Sequence, residues 1–215
     1  MSFSHDNHDT PTPTVPGLDL IIGPMYSSKT TDLLRRLFVS SAVGFKALYI
    51  NHTLDNRNQL SEYSTHNPLY KQKLDSEHGV DLRSVSRLDQ ISDQELTEYQ
   101  IIGIDEGQFF PDLKVGELHL VEDLGKHVIV SGLNGDSQRR PFGQISDLLP
   151  FVDNIHKLSS YCQRCAQPPK KQLIKALFTY RIQPEQSDQL TDQILVGAGE
   201  RYLPVCRECY LNLTH

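Results

Sequence analysis

The run Leu18-Asp19-Leu20-Ile21-Ile22, followed by Gly23-Pro24-Met25-Tyr26-Ser27-Ser28-Lys29-Thr30, narrows the possible folds more than any other part of the chain. A short, almost wholly apolar run is the mark of a strand covered on both faces. Gly23 lets the chain turn sharply. Lys29 and Thr30 then open a helical stretch, Thr31-Asp32-Leu33-Leu34-Arg35-Arg36-Leu37-Phe38. In outline this is a phosphate-binding loop. Backbone N–H groups and a helix N-terminus face an anion, the lysine reaches the phosphates, and the threonine hydroxyl meets a magnesium ion. The pattern asks for glycine directly before the lysine, where this chain has Ser28. A side chain there is free of strain only if Ser28 sits at ordinary φ; otherwise the backbone stores about 1–3 kcal/mol. The plainer alternative is a strand-turn-helix with a solvated lysine.

The same grammar continues downstream. Residues 46–50 form a second strand after Gly44, which makes a βαβ unit and implies parallel pairing. Residues 51–78 are polar and irregular, a length that marks a functional or mobile loop. Residues 80–85 read as a short strand, Ser92-x-x-Glu95 as a capping box, and 100–106 as a buried strand ending in two carboxylates. A crossover helix over 112–124 leads to another strand over 126–133. Alternating strand and helix predicts an open, mostly parallel sheet with helices on both faces. Ligands of such sheets sit beyond the carboxyl ends of the strands. The Gly23 loop, Asp105-Glu106 and the loop from Asn134 all follow strand ends, so they can share one crevice.

Asp105 and Glu106 suit phosphoryl transfer: one carboxylate supports a metal shell and its neighbour meets the acceptor hydroxyl. Two solvated acids closing a strand are the bland alternative. The order of lysine loop and then carboxylates favours the metal–nucleotide reading.

Cys162-x-x-Cys165 and Cys206-x-x-Cys209 are two C-x₂-C pairs about 40 residues apart. Each pair bites one metal, and together they fill a tetrahedral site with thiolate, leaving no place for water. Structural zinc is the expectation; four buried thiols or a redox pair are the rivals. No secretory segment is evident, so the thiols point to metal in a reducing compartment. The chain has 215 residues, a formal charge of −6 and a pI near 5.8. That balance argues against a partner such as duplex nucleic acid, and no apolar run reaches membrane-span length.

Taken together, these blocks resemble the type II thymidine kinases, the cellular and poxviral class, from about Leu18 to Tyr210. The loop through Lys29-Thr30 is similar to that of the family. So are Asp105-Glu106-Gly107-Gln108-Phe109-Phe110, Leu133-Asn134-Gly135, Gln138-Arg139, Pro141-Phe142-Gly143, Ala176-Leu177-Phe178-Thr179-Tyr180-Arg181, and Tyr202 before Val205-Cys206-Arg207-Glu208-Cys209-Tyr210. The implied fold is α/β: a P-loop (RecA-like), mostly parallel sheet flanked by helices, with a small zinc-containing C-terminal lobe. Its implied divisions are a tail over 1–16, a nucleotide-binding domain over 17–158 and a zinc lobe over 159–215.

The resemblance also implies an activity, transfer of the ATP γ-phosphoryl to the 5′-hydroxyl of thymidine, with Mg²⁺ and with deoxyuridine as a further substrate. Gly23, Met25, Tyr26, Ser27, Ser28, Lys29 and Thr30 would hold phosphates, joined by Asp55, Arg57, Asp105 and Gln108. Glu106 would be the general base. Phe109, Leu133, Phe142 and Thr179 would wall the nucleoside pocket, with Leu195, Val196, Gly197 and Tyr202 closing over it. A cytoplasmic homotetramer is the implied assembly. Four departures stand out: Ser28, Asn134 in place of aspartate, Ser137 where an aromatic residue is frequent, and a longer cysteine lobe over 167–175. Ser137 motivates a broader deoxynucleoside kinase as an alternative. Ser28 motivates a nucleotide-binding protein without turnover.

Overall fold

The apolar runs become strands. The computed structural model describes residues 15–54, 79–182 and 201–214. In chain order the first part contains β1 (Gly17–Gly23), α1 (Lys29–Ala42), β2 (Ala47–His52), β3 (Val80–Val85), α2 (Asp93–Leu96), β4 (Ile101–Ile104), α3 (Leu113–Leu118), β5 (His127–Leu133) and β6 (Asn154–Lys157). The sheet order is β3-β2-β4-β5-β1-β6, and every pair is parallel. Parallel neighbours require crossovers over the faces, so the central strands β2 and β4 are buried throughout, while the edge strands β3 and β6 are more polar and exposed.

Successive residues of each strand serve opposite cores. On one face Leu33, Leu34 and Leu37 of α1 pack on Ile21, Ala47, Tyr49 and Ile129. On the other, Leu48, Ile50, Ile102, Val128 and Val130 pack under Leu113, Leu120, Ile145 and Leu148. Ile50 pairs with Ile104, and Ile104 with Val130. β1 and β5 end together, Gly23 beside Leu133, a few residues beyond the end of β4, and the loops after all three open on the same edge of the sheet.

Ser92 caps α2 by accepting from the Glu95 amide, as the capping-box pattern predicts. The crossover over 112–124 is α3 continued by a π-helical turn, His119–Asp123. Leu113 and Glu117, one turn apart, share the buried face of α3. Glu117 has no exposed surface, and neither carboxylate oxygen has a hydrogen-bond partner among the described residues. Burial, helped by the charge of Glu122, pushes its carboxyl up to about 7 from an ordinary 4.5. A folded-state value above the unfolded one means that the contribution is most favourable below pH 4.5 and is lost as pH rises through about 7. The loss is on the order of 3 kcal/mol. Glu117→Met, similar in volume and uncharged, is expected to raise stability by about 2–3 kcal/mol at pH 8 and by much less at pH 5. Urea denaturation at the two pH values measures this; an equal gain at both would refute the ionisation argument.

The remaining elements are β7 (Ser160–Tyr161), α4 (Gln163–Ala166), β8 (Lys175–Ala176), β9 (Phe178–Arg181), β10 (Tyr202–Val205) and α5 (Arg207–Thr214). β7 pairs with β8, and β9 with β10, both antiparallel. The β7–β8 pair brackets the exposed 167–175 stretch, so the extra length is a surface excursion, which costs little. The four cysteines, Ala176, Val205 and Tyr210 make the small core of this lobe.

Candidate active site

The loop between β1 and α1 has a strained geometry. Ser28 has φ 65° and ψ 29°, and Tyr26 has φ 61°. Of the two conformations left open for Ser28, the structure has the strained one: the residue occupies the left-handed region that glycine prefers. For an L-residue this costs about 1–2 kcal/mol. The serine side chain points to solvent, so the loop keeps a glycine-like shape despite the substitution. Gly23 is needed for a different reason than the turn. A Cβ there would lie 2.5 Å from Ser27 Oγ and 2.9 Å from the Leu158 carbonyl oxygen.

Ser27 Oγ and Lys29 Nζ both donate to the Pro24 carbonyl, at 2.8 and 3.0 Å. Lys29 is buried, which removes the solvated-lysine alternative. Met25 N donates to Thr179 Oγ1 at 3.0 Å, tying the loop to β9. Ser28→Gly is expected to stabilise the protein by up to about 1 kcal/mol, because relief of strain is partly offset by backbone entropy. Turnover should change less than about threefold, since the loop shape is already present. A rise of several orders of magnitude in kcat would show instead that the serine blocks the site.

Asp105 follows β4 and is buried. It accepts from Tyr49 Oη at 2.7 Å and from Ser131 Oγ, and the Thr30 hydroxyl at the start of α1 is near enough to favour its charged form. Burial raises the Asp105 pKa, the Glu106 charge adds to this, and the three hydroxyls oppose it. A cation placed here would favour the ionised form. Asn51 lies one residue beyond the Ile50–Ile104 pair, beside Asp105 and on the face of Tyr49. It is buried, and its Oδ1 has no partner among the described residues. A carboxylate, a hydroxyl and an unpartnered amide oxygen fit hydrated Mg²⁺, a hard cation that keeps several waters.

Glu106 breaks the strand with φ 50° and ψ 43°. The break gives it different partners from Asp105. Gln108 Nε2 donates to Glu106 Oε2 at 2.6 Å, while Gln108 Oε1 accepts from Leu133 N at 3.0 Å. Buried Gln108 therefore fixes the half-buried Glu106 relative to the end of β5. Beside it Phe109 and Phe142 meet edge to face, 5.8 Å between centroids. Gly143, at φ 54°, lies so close to Gln108 that a Cβ would sit 2.2 Å from its carbonyl oxygen. His52, which sequence reasoning passed over, packs on Phe109 and Phe110 at 5.9 and 4.8 Å. Tyr202 opens β10 and is partly buried. Asp55, Arg57, Leu195, Val196 and Gly197 lie outside the described residues, as does the tail over 1–14.

The four cysteines are buried, and their Sγ atoms all lie within 4.8 Å of one another. Cys165 Sγ is 3.5 Å from Cys209 Sγ and 3.9 Å from Cys206 Sγ. Thiolates at about 2.3 Å from a tetrahedral zinc stand about 3.8 Å apart. The donor set and spacing fit zinc, and the separations are far too long for disulfides.

A lysine loop after β1 and a carboxylate pair after β4, on the same edge of an all-parallel sheet, are the framework of a P-loop kinase. A family model described as thymidine kinase matches residues 17–210. The thymidine kinase of raccoon poxvirus is 35% identical over 195 residues, 91% of this chain and 97% of that protein. The cytosolic thymidine kinase of Homo sapiens is 33% identical over 203 residues, 94% of this chain and 76% of that protein. The thymidine kinase of Oryza sativa subsp. japonica is 34% identical over 202 residues, 93% of this chain and 68% of that protein. The chain belongs to the thymidine kinase family.

Proposed function

We propose that the protein transfers the γ-phosphoryl group of ATP to the 5′-hydroxyl of thymidine, giving dTMP and ADP in nucleotide salvage. The observation that carries this is that buried Lys29 and buried Asp105 both follow strands of one parallel sheet, β1 and β4, on either side of β5. Deoxyuridine is a second substrate in this reading. The division at residues 158–159, between a nucleotide-binding domain and a zinc lobe, belongs to the same proposal, as does a cytoplasmic homotetramer. Among the described residues no helix is long and apolar enough to cross a membrane.

Phosphoryl transfer is largely positioning and charge neutralisation. Lys29 swings from Pro24 to the phosphates, and the N–H groups of Met25 to Ser28 and the start of α1 face the same anion. Asp105, Thr30 and Asn51 would hold Mg²⁺, which would supply neutralising charge when bound. The 5′-oxygen attacks phosphorus, the bond to the ADP oxygen breaks, and Glu106 takes the hydroxyl proton. Gln108 keeps Glu106 oriented for that transfer, and Phe109 and Phe142 flank the base. Arg57 and Asp55 act at the phosphates, while Leu195, Val196, Gly197 and Tyr202 cover the nucleoside. Transfer of radiolabelled phosphate from ATP to a panel of thymidine, deoxyuridine and deoxycytidine tests this. Thymidine and deoxyuridine should accept label; comparable labelling of deoxycytidine indicates the broader kinase. ATP binding with no product at all indicates lost turnover.

A further inference from the structure

We propose that the cysteine lobe braces the crevice, with Tyr210 as the positioning residue for the loop after β5 and Thr179 as its counterpart for the phosphate loop. The inference rests on the reading that these two loops line the nucleoside and ATP sites.

Tyr210 follows Cys209 directly in α5 and is 3% exposed. Its hydroxyl donates to the Ser137 carbonyl at 2.7 Å. The Arg139 guanidinium lies over its ring at 4.4 Å. The ring is held from behind by Phe178 at 5.5 Å and Tyr180 at 6.2 Å. One buried side chain, placed by a metal ligand, thus grips two points of the 134–143 loop. A charge-bearing contact to an aromatic face adds to the hydrogen bond.

The loop is built to move as a unit. Asp136 accepts from the amides of Gln138 and Arg140 at 2.9 and 2.8 Å, and from Arg140 Nε at 2.7 Å. Its shape is set internally, so its placement depends on what it docks against. Phe142 leaves this loop to meet Phe109, so a shift at Ser137 reaches the pocket wall. The second contact runs through β9. Val205, next to Cys206, pairs with Phe178, and the adjacent Thr179 accepts from Met25 N. Both ties start within one or two residues of the Cys206–Cys209 knuckle.

The test uses full-length, zinc-loaded protein. Tyr210→Phe keeps the ring and removes only the donor. We expect amides of residues 134–143 to exchange about five- to tenfold faster, the worth of one hydrogen bond. Nucleoside KM should rise about three- to tenfold with kcat and ATP KM within about twofold and zinc content unchanged. Thr179→Val should speed exchange over 24–30 and raise ATP KM. Arg139→Asn alters an exposed residue while tolerating its left-handed backbone, and should repeat the Tyr210 effect if Tyr210→Phe fails to fold. Unchanged exchange over 134–143 in both loop variants overturns the brace. So does a uniform rise across the whole chain, which marks general destabilisation. The exchange readout needs no turnover, so it stands even if no nucleoside is phosphorylated.

Discussion

Glu106→Gln is expected to cut kcat by about 10²–10⁴-fold, the usual worth of a general base, while KM for both substrates stays near its original value. The amide keeps the size of the carboxylate and still offers an oxygen to Gln108, so the hydrogen bond from Gln108 Nε2 survives. What is lost is the ability to accept the 5′-hydroxyl proton. That hydroxyl is weakly acidic, so its proton leaves late, and the acceptor matters in the transition state more than in the ground state. Steady-state kinetics with thymidine and ATP checks the split between kcat and KM. Near-normal turnover would remove Glu106 from the chemistry and leave it a purely structural role beside Gln108.

Purified protein should hold one zinc per chain, and Cys206→Ser should release or weaken it with a large loss of stability. Apparent binding energies of structural zinc in small peptides, about 10–16 kcal/mol, rival the whole stability of a domain. The lobe core here is little more than four thiols, Ala176, Val205 and Tyr210, too small to hold alone. A fall of about 5 kcal/mol corresponds to roughly 10–20 °C in melting temperature for a chain of this size. Elemental analysis and calorimetry measure the two parts. Parent protein that holds no zinc, or a Cys206→Ser variant that melts as high as the parent, would eliminate the clamp.

Much of this molecule is legible in its sequence because buried parallel strands are continuous apolar runs. Residues 18–22, 101–104 and 128–130 show this directly. The carboxylates are legible because they end such a run. The cysteines are legible because metal geometry fixes their spacing. What the sequence hides is register. Alternation alone puts Tyr49 and Asn51 on one face, yet only the β2–β4–β5 pairing brings Tyr49, Asn51 and Ser131 to Asp105. Backbone state is only half legible: the motif asks for glycine at position 28, but the serine does not itself reveal that the surrounding loop still holds it left-handed. Glu117 reads as an ordinary charged helix position, and its burial follows from the packing of α3 on the sheet. α5 escapes notice because it is short and begins inside a C-x₂-C pair, where metal and packing outweigh propensity. Thr179, read as a pocket residue, has its hydroxyl on the phosphate loop.

The most direct measurement is a structure with thymidine and a non-hydrolysable ATP analogue. A Glu106 carboxylate oxygen is expected about 2.6–3.2 Å from the 5′-hydroxyl, or joined to it through one water. A carboxylate turned away from the sugar, with no bridging water, would contradict it.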